Sequence, residues 1–185
     1  RDRAADVLES ASLGLFADPW AARDDYIGVL LDRATTDDFL RRHTGRELAG
    51  AERVRALELM ELARHAMLMY TSCGWFFDDL SGIETVQILQ YAARVCELCG
   101  DGVEDQFVDR LAGARSNVAS AGDGRQIWRE RVVTARVDLP KVVAHWATTH
   151  VLHDGEVTPE AVYCYRVAPH DVRRRRTGKA QIGRA

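Results

Sequence analysis

The segment Met69-Tyr-Thr-Ser-Cys-Gly-Trp-Phe-Phe-Asp-Asp-Leu-Ser-Gly-Ile-Glu84 places three consecutive aromatics and three acids between two stretches of strongly helical sequence. A connecting segment seldom carries so much apolar surface. Leaving Trp75, Phe76 and Phe77 in water forfeits roughly 2 kcal/mol for each ring, so this segment is expected either to plug the core or to line a cleft.

Upstream, residues 51 to 70 repeat polar side chains every three or four positions at Arg55, Glu58, Glu61 and His65. The remaining arc, with Leu57, Leu59, Met60, Leu62, Ala66 and Met69, is apolar, the pattern of a central amphipathic helix. Downstream, Ser81-Gly-Ile-Glu84 fits a capping box, in which the Ser oxygen accepts a free backbone N–H and the Glu reaches back to the cap. A second central helix is therefore expected from Gly82. Gln87, Gln90, Arg94 and Glu97 form its polar stripe, and Gly100 supplies a left-handed stop.

Helical signals continue in both directions. Asp18-Pro19 reads as an N-cap with Pro at the first helical position, opening a helix that runs to about residue 32. Thr36 is expected to cap a shorter helix through Phe39 and Leu40. Further helices are predicted at about 103 to 112, 125 to 137 and 141 to 152, with Ser120-Ala-Gly-Asp-Gly124 as the clearest flexible break. After Thr158-Pro159 the pattern turns β-branched and aromatic, from Val162 to Val167, and a basic run follows at Arg173 to Arg176. The fold class is thus mainly α: a bundle of six or seven helices over residues 1–155, with a short β-rich extension beginning at 156. One strand needs neighbours, so the extension is expected to be truncated, and a chain beginning at Arg1 without Met is expected to be a piece of something longer.

With 185 residues, 46% apolar, 29% charged and a formal charge of −3, the composition is that of an ordinary folded domain. It offers no basic field for nucleic acid or anionic lipid, and neither a membrane span nor a signal peptide is seen. Cys73, Cys96, Cys99 and Cys164 are too sparse for a disulfide framework, so reduced thiols in a cytoplasmic protein are expected.

Aromatic rings beside carboxylates suit a sugar, whose C–H face stacks on a ring while carboxylates accept its hydroxyl protons. Tyr70, Trp75, Phe76, Phe77, Asp78 and Asp79 are therefore the candidate substrate-binding residues. Core packing, with the two aspartates serving the positive end of the next helix, explains the same residues and remains the competing reading. Asp78 and Asp79 are neighbours whose side chains diverge in extended backbone, so they do not form the separated carboxylate pair of a glycosidase, and no catalytic residue is assigned. Cys96-Glu-Leu-Cys99 has metal-site spacing but sits on an apolar helix face, where a buried thiol pair is favoured. His150 and His153 with Asp154 read as a solvated helix end. No metal or cofactor is expected.

The run from Tyr70 to Glu84, continued by Val86-Gln-Ile-Leu-Gln-Tyr-Ala-Ala-Arg94, resembles the C-terminal domain of unknown function, numbered 3536, of bacterial glycoside hydrolase family 57 α-amylase/α-mannosidase-like proteins. Val137 to Trp146 and Val162 to Val167 resemble later parts of that region. The resemblance implies a helical domain that follows a (β/α)7-type catalytic barrel, which holds the Glu nucleophile and Asp acid/base and is not in this chain. It also implies that Trp75, Phe76 and Asp78 face an α-glucan cleft. The expected partners are that barrel, in the same polypeptide, and an α-glucan oligosaccharide. On this reading the parent is a hydrolase or glucanotransferase and this portion alone is inactive. The alternative is a helical interaction or interdomain packing module without sugar contact.

Overall fold

The structure is a computed structural model that describes residues 1–100, 102–151, 160–162, 165–168, 173–177 and 180–184. For Trp75, for His150 and Val151, and for the described residues after them other than Val167 and Ala168, only the backbone is described. The protein is mainly α. It divides into two compact units, Arg1–Ala135 and Arg136–Ala185.

The first unit holds α1 (Asp2–Ala11), α2 (Pro19–Asp25), α3 (Ile27–Leu31), α4 (Thr36–Thr44), α5 (Gly50–Leu68), the one-turn α6 (Cys73–Phe76), α7 (Ile83–Cys99), α8 (Val103–Leu111) and α9 (Gly124–Ile127). A π-helical turn, Trp128–Val132, and a 3₁₀ turn, Val133–Ala135, extend α9. The long helices α5 and α7 pack against each other, as the wide apolar arcs of both sequences require. Leu59, Met60 and Leu62 of α5 are fully buried with Leu8 of α1, Val29 of α3 and Phe39 of α4 in one core cluster, which the end of α7 joins through Val95 and Leu98. A second cluster forms on Val86, Leu89, Ala92 and Ala93 of α7 with Ile127, Trp128 and Val132. Met69, at the exit of α5, packs on both.

The cap of α2 is as read: the Asp18 carboxylate accepts from the backbone N–H groups of Trp20 and Ala21 at 2.9 and 3.0 Å. The helix does not run unbroken to residue 32. It stops at Tyr26, whose hydroxyl donates to Glu61 Oε1 at 2.8 Å, and α3 starts anew. Burial first, and then this hydrogen bond to a carboxylate, push the Tyr26 phenol up to about 12. Thr36 is the first residue of α4 and not its cap, and the Asp32 carboxylate instead caps the 3₁₀ turn Arg33–Thr35 in front of it. The acids Asp37 and Asp38 open α4 while Arg41, Arg42 and His43 close it, matching the helix dipole at both ends.

Two further expectations are corrected. Ser81 does not cap α7: the N-cap is Gly82, without a side-chain bond, because the Ser81 hydroxyl is taken by Asp79. Ser120–Gly124 is a packed junction rather than a flexible break. Ala121 and Gly124 are buried, the Gly124 N–H donates to the Ala114 carbonyl at 2.9 Å, and a Cβ at Gly124 would lie 2.4 Å from the Leu111 carbonyl oxygen. Gly100 has the positive φ expected of a stop, 91°, but its ψ of −168° lies outside the left-handed helical well.

In the second unit, α10 (Leu139–Val151) carries the buried Val142 and Trp146. Strand β1 (Glu160–Val162) pairs antiparallel with β2 (Tyr165–Val167), and β3 (Arg173–Thr177) with β4 (Ala180–Arg184). The helix counted with the bundle in the sequence reading thus groups with the strands. The arginine run forms most of β3, while His153, Asp154 and Cys164 lie outside the described residues, as does the side chain of His150. No described helix is long and apolar enough to cross a membrane.

Candidate functional site

The chain between α5 and α7 is a pinned excursion rather than a plain loop. Past Tyr70 it makes the single turn α6, which packs on α7 so closely that a Cβ at Gly74 would lie 2.3 Å from Ile88 Cγ1. The Thr85 hydroxyl then reaches back from α7 to the carbonyls of Gly74 and Asp79, at 3.3 and 3.1 Å, tying both ends of the excursion to one point.

Asp79 is the anchor. Its carboxylate accepts the Ser81 N–H at 2.7 Å, the Ser81 hydroxyl, the Ser116 hydroxyl at 3.0 Å and the Asn117 N–H at 2.7 Å. The bond to the N–H two residues on is an Asx turn, which holds Ser81 more directly than a capping bond into α7 could. These donors, with the Ser81 hydroxyl as the leading one, hold the carboxyl down at about 2. Two more bonds fix the backbone around it. The Asn117 side-chain amide donates to the Asp78 carbonyl at 2.7 Å, and the Arg131 guanidinium donates to the Ser81 carbonyl at 2.6 Å.

The groups held outward are the notable ones. Phe76 is 84% exposed and Phe77 52% exposed, so neither plugs the core. Their centroids lie 6.1 Å apart with the rings at 64°, an edge-to-face pair. Asp78 is exposed, and its carboxylate makes no hydrogen bond or ion pair among the described residues. The two aspartates diverge as expected, Asp79 turned onto its pins and Asp78 to solvent. Neither carboxylate hydrogen-bonds a backbone N–H of α7. The side chain of Trp75 lies outside the description, so its place in the cluster is not assigned.

Tyr70 belongs elsewhere. It lines two cavities, of about 430 and 270 Å3, neither of which is lined by Phe76, Phe77, Asp78 or Asp79. The six residues grouped by sequence therefore separate into an outward trio, one buttress, one cavity wall and Trp75. The buttressing partners Ser116, Asn117 and Arg131 stand 37 to 52 positions from Asp79 and carry no periodic or motif signal of their own. Cys96 is buried and Cys99 half-buried on α7, where burial pushes the Cys99 thiol up, away from the thiolate a metal needs. No group of three or more His, Cys, Asp or Glu side chains arranged to hold a metal occurs among the described residues.

A family model described as a domain of unknown function (DUF3536) matches residues 1–185, the whole chain. The protein belongs to the DUF3536 family. No curated protein and no solved structure matches it. Within this DUF3536 domain, Phe76, Phe77 and Asp78 are thus held at the surface on a segment whose base is fixed by the four donors to Asp79.

Proposed function

We propose that this domain is the C-terminal accessory module of a cytoplasmic, glycoside hydrolase family 57-like enzyme, presenting Phe76, Phe77 and Asp78 to an α-glucan beside a catalytic barrel carried elsewhere in the parent polypeptide. The observation that carries this reading is the exposure of two adjoining phenyl rings and an unpaired carboxylate on a segment whose base is fixed by Asp79. A ring offers its face to the C–H groups of a pyranose, and the Asp78 carboxylate accepts from hydroxyls. Bond cleavage, or glucanosyl transfer, belongs to two carboxylates of the barrel, so this chain alone turns nothing over.

Calorimetric titration of the 185-residue chain with maltooligosaccharides should show saturable binding in the millimolar range or tighter, abolished by Phe76→Ala and weakened by Asp78→Asn at unchanged thermal midpoint. Absence of binding at several millimolar sugar overturns the saccharide contact. Hydrolysis by the chain alone overturns the division of labour.

A second reading is favoured by the edge-to-face geometry of the two rings, which makes a knob rather than a flat platform. On this reading the knob inserts into the parent's own barrel and meets no sugar. Radical footprinting of the full-length parent then finds Phe76 and Phe77 protected without any saccharide present.

A further inference from the structure

The cavity of about 430 Å3 opens where α1, α2 and the C-terminal half of α5 converge. Its size falls within the range of small-molecule sites. The concavity arises because small side chains stand where three helices meet: Ala4 on α1 and Ala63 and Ala66 on α5 leave room above the buried Leu8. Trp20 and Tyr70 supply aromatic walls. Trp20 is fixed by donation of its indole N–H to Glu9 Oε1 at 3.1 Å, which keeps that wall from swinging in to fill the space.

Each wall carries a cation. The Arg23 guanidinium stands 4.9 Å from the centre of the Trp20 ring and that of Arg1 6.0 Å from the centre of the Tyr70 ring. Stacking on an aromatic face pre-orients a guanidinium while leaving donors at its edge for an anion. Arg23 at present gives its donors to the exposed carboxylate of its chain neighbour Asp24, and Asp2 on the rim is paired at 3.6 Å with Arg1. The Arg1–Asp2 pair joins two exposed groups and is weak, whereas the half-buried Arg23 donates through two nitrogens to the exposed Asp24, which a better-placed anion has to displace.

We infer that this cavity binds a small amphipathic anion: a carboxylate, sulfonate or phosphate monoester on a flat apolar body. The body lies on the alanine and Leu8 floor between the two rings. The acidic head replaces Asp24 on Arg23. The site is separate from the Phe76–Phe77 trio, and this inference stands independently of the saccharide reading.

Titration of the whole chain with 1-anilinonaphthalene-8-sulfonate, set against neutral N-phenyl-1-naphthylamine, tests it. The expected result is one saturable site per chain, at least tenfold tighter for the sulfonate than for the neutral amine. Arg23→Gln weakens the sulfonate about tenfold, Asp24→Asn strengthens it severalfold by freeing Arg23, and Phe76→Ala leaves it unchanged. Ala66→Phe, which fills the floor, should abolish binding of both dyes. Since that variant alters a packed position, the two surface substitutions at 23 and 24 decide the matter if it fails to fold. Non-saturable binding, equal affinity for both dyes, indifference to both substitutions at 23 and 24, or loss of binding in Phe76→Ala overturns the assignment.

Discussion

Helices α5 and α7 and the segment that joins them are built on opposite plans. In the helices most of the apolar side chains turn inward, with Leu59, Met60 and Leu62 shut away from solvent, although Val54, Met67 and Ile83 near the helix ends are exposed. In the joining segment the phenyl rings of Phe76 and Phe77 turn outward, and a carboxylate with four donors sits at the centre. The difference follows from backbone needs. A helix satisfies its own N–H and C=O groups and can spend its side chains on burial, whereas an irregular segment must find partners for its polar groups first. Where those partners come from polar side chains, the apolar residues of the same segment are free to be displayed.

The contrast can be tested position by position. Leu59→Ala, at the fully buried centre of α5, should cost about 3 kcal/mol in denaturant unfolding, and a loss below 1 kcal/mol would mean that the α5–α7 core is not where the stability resides. Gly124→Ala pushes a methyl group into the Leu111 carbonyl and should cost about 2 kcal/mol by the same measurement, provided the junction is as tight as described. A neutral outcome would restore the view of Ser120–Gly124 as a loose break.

Asp79→Asn should act more locally. Hydrogen exchange at the Ser81 and Asn117 amides should quicken at least tenfold, with a smaller shift of the global midpoint than either core change gives. The pH dependence has a defined sign. The folded carboxyl titrates at about 2, below the ordinary aspartate value near 3.9, so its contribution is complete above about pH 4 and disappears as pH falls through 2. The wild-type amides should lose their protection across that interval, and those of Asp79→Asn should show no such step. The smallest effect belongs to Phe76→Ala, within about 0.5 kcal/mol of wild type. A cost above about 1.5 kcal/mol would show the ring to be buried, and both the contrast and the saccharide reading would fall.

The helical framework was readable because periodicity is a local signal. The arc from 51 to 70 became Gly50–Leu68, and the helix expected from Gly82 begins at Ile83. What escaped was set by distant partners. The break at Tyr26 follows a hydroxyl drawn to Glu61, 35 residues on, and the capping box failed because Asp79 held Ser81 before the helix could use it. The aromatic segment was singled out correctly as unusual, but ring content alone could not decide between burial and display. The partners that fix the backbone beside the rings are Ser116, Asn117 and Arg131, which nothing in the neighbourhood of residues 69 to 84 announces.

The π-helical turn at Trp128–Val132 gives the molecule a sensitivity to length. Such a turn accommodates one residue more than an α-helical turn would, displacing everything after it by about 100° around the axis. Losing a single codon at Arg129 or Glu130 would straighten the rod and swing Arg131 off the Ser81 carbonyl, 50 residues earlier in the chain. An in-frame deletion on one side of the bundle would thus be felt as slack at the foot of the phenylalanine pair, with the helical content of the chain almost unaltered.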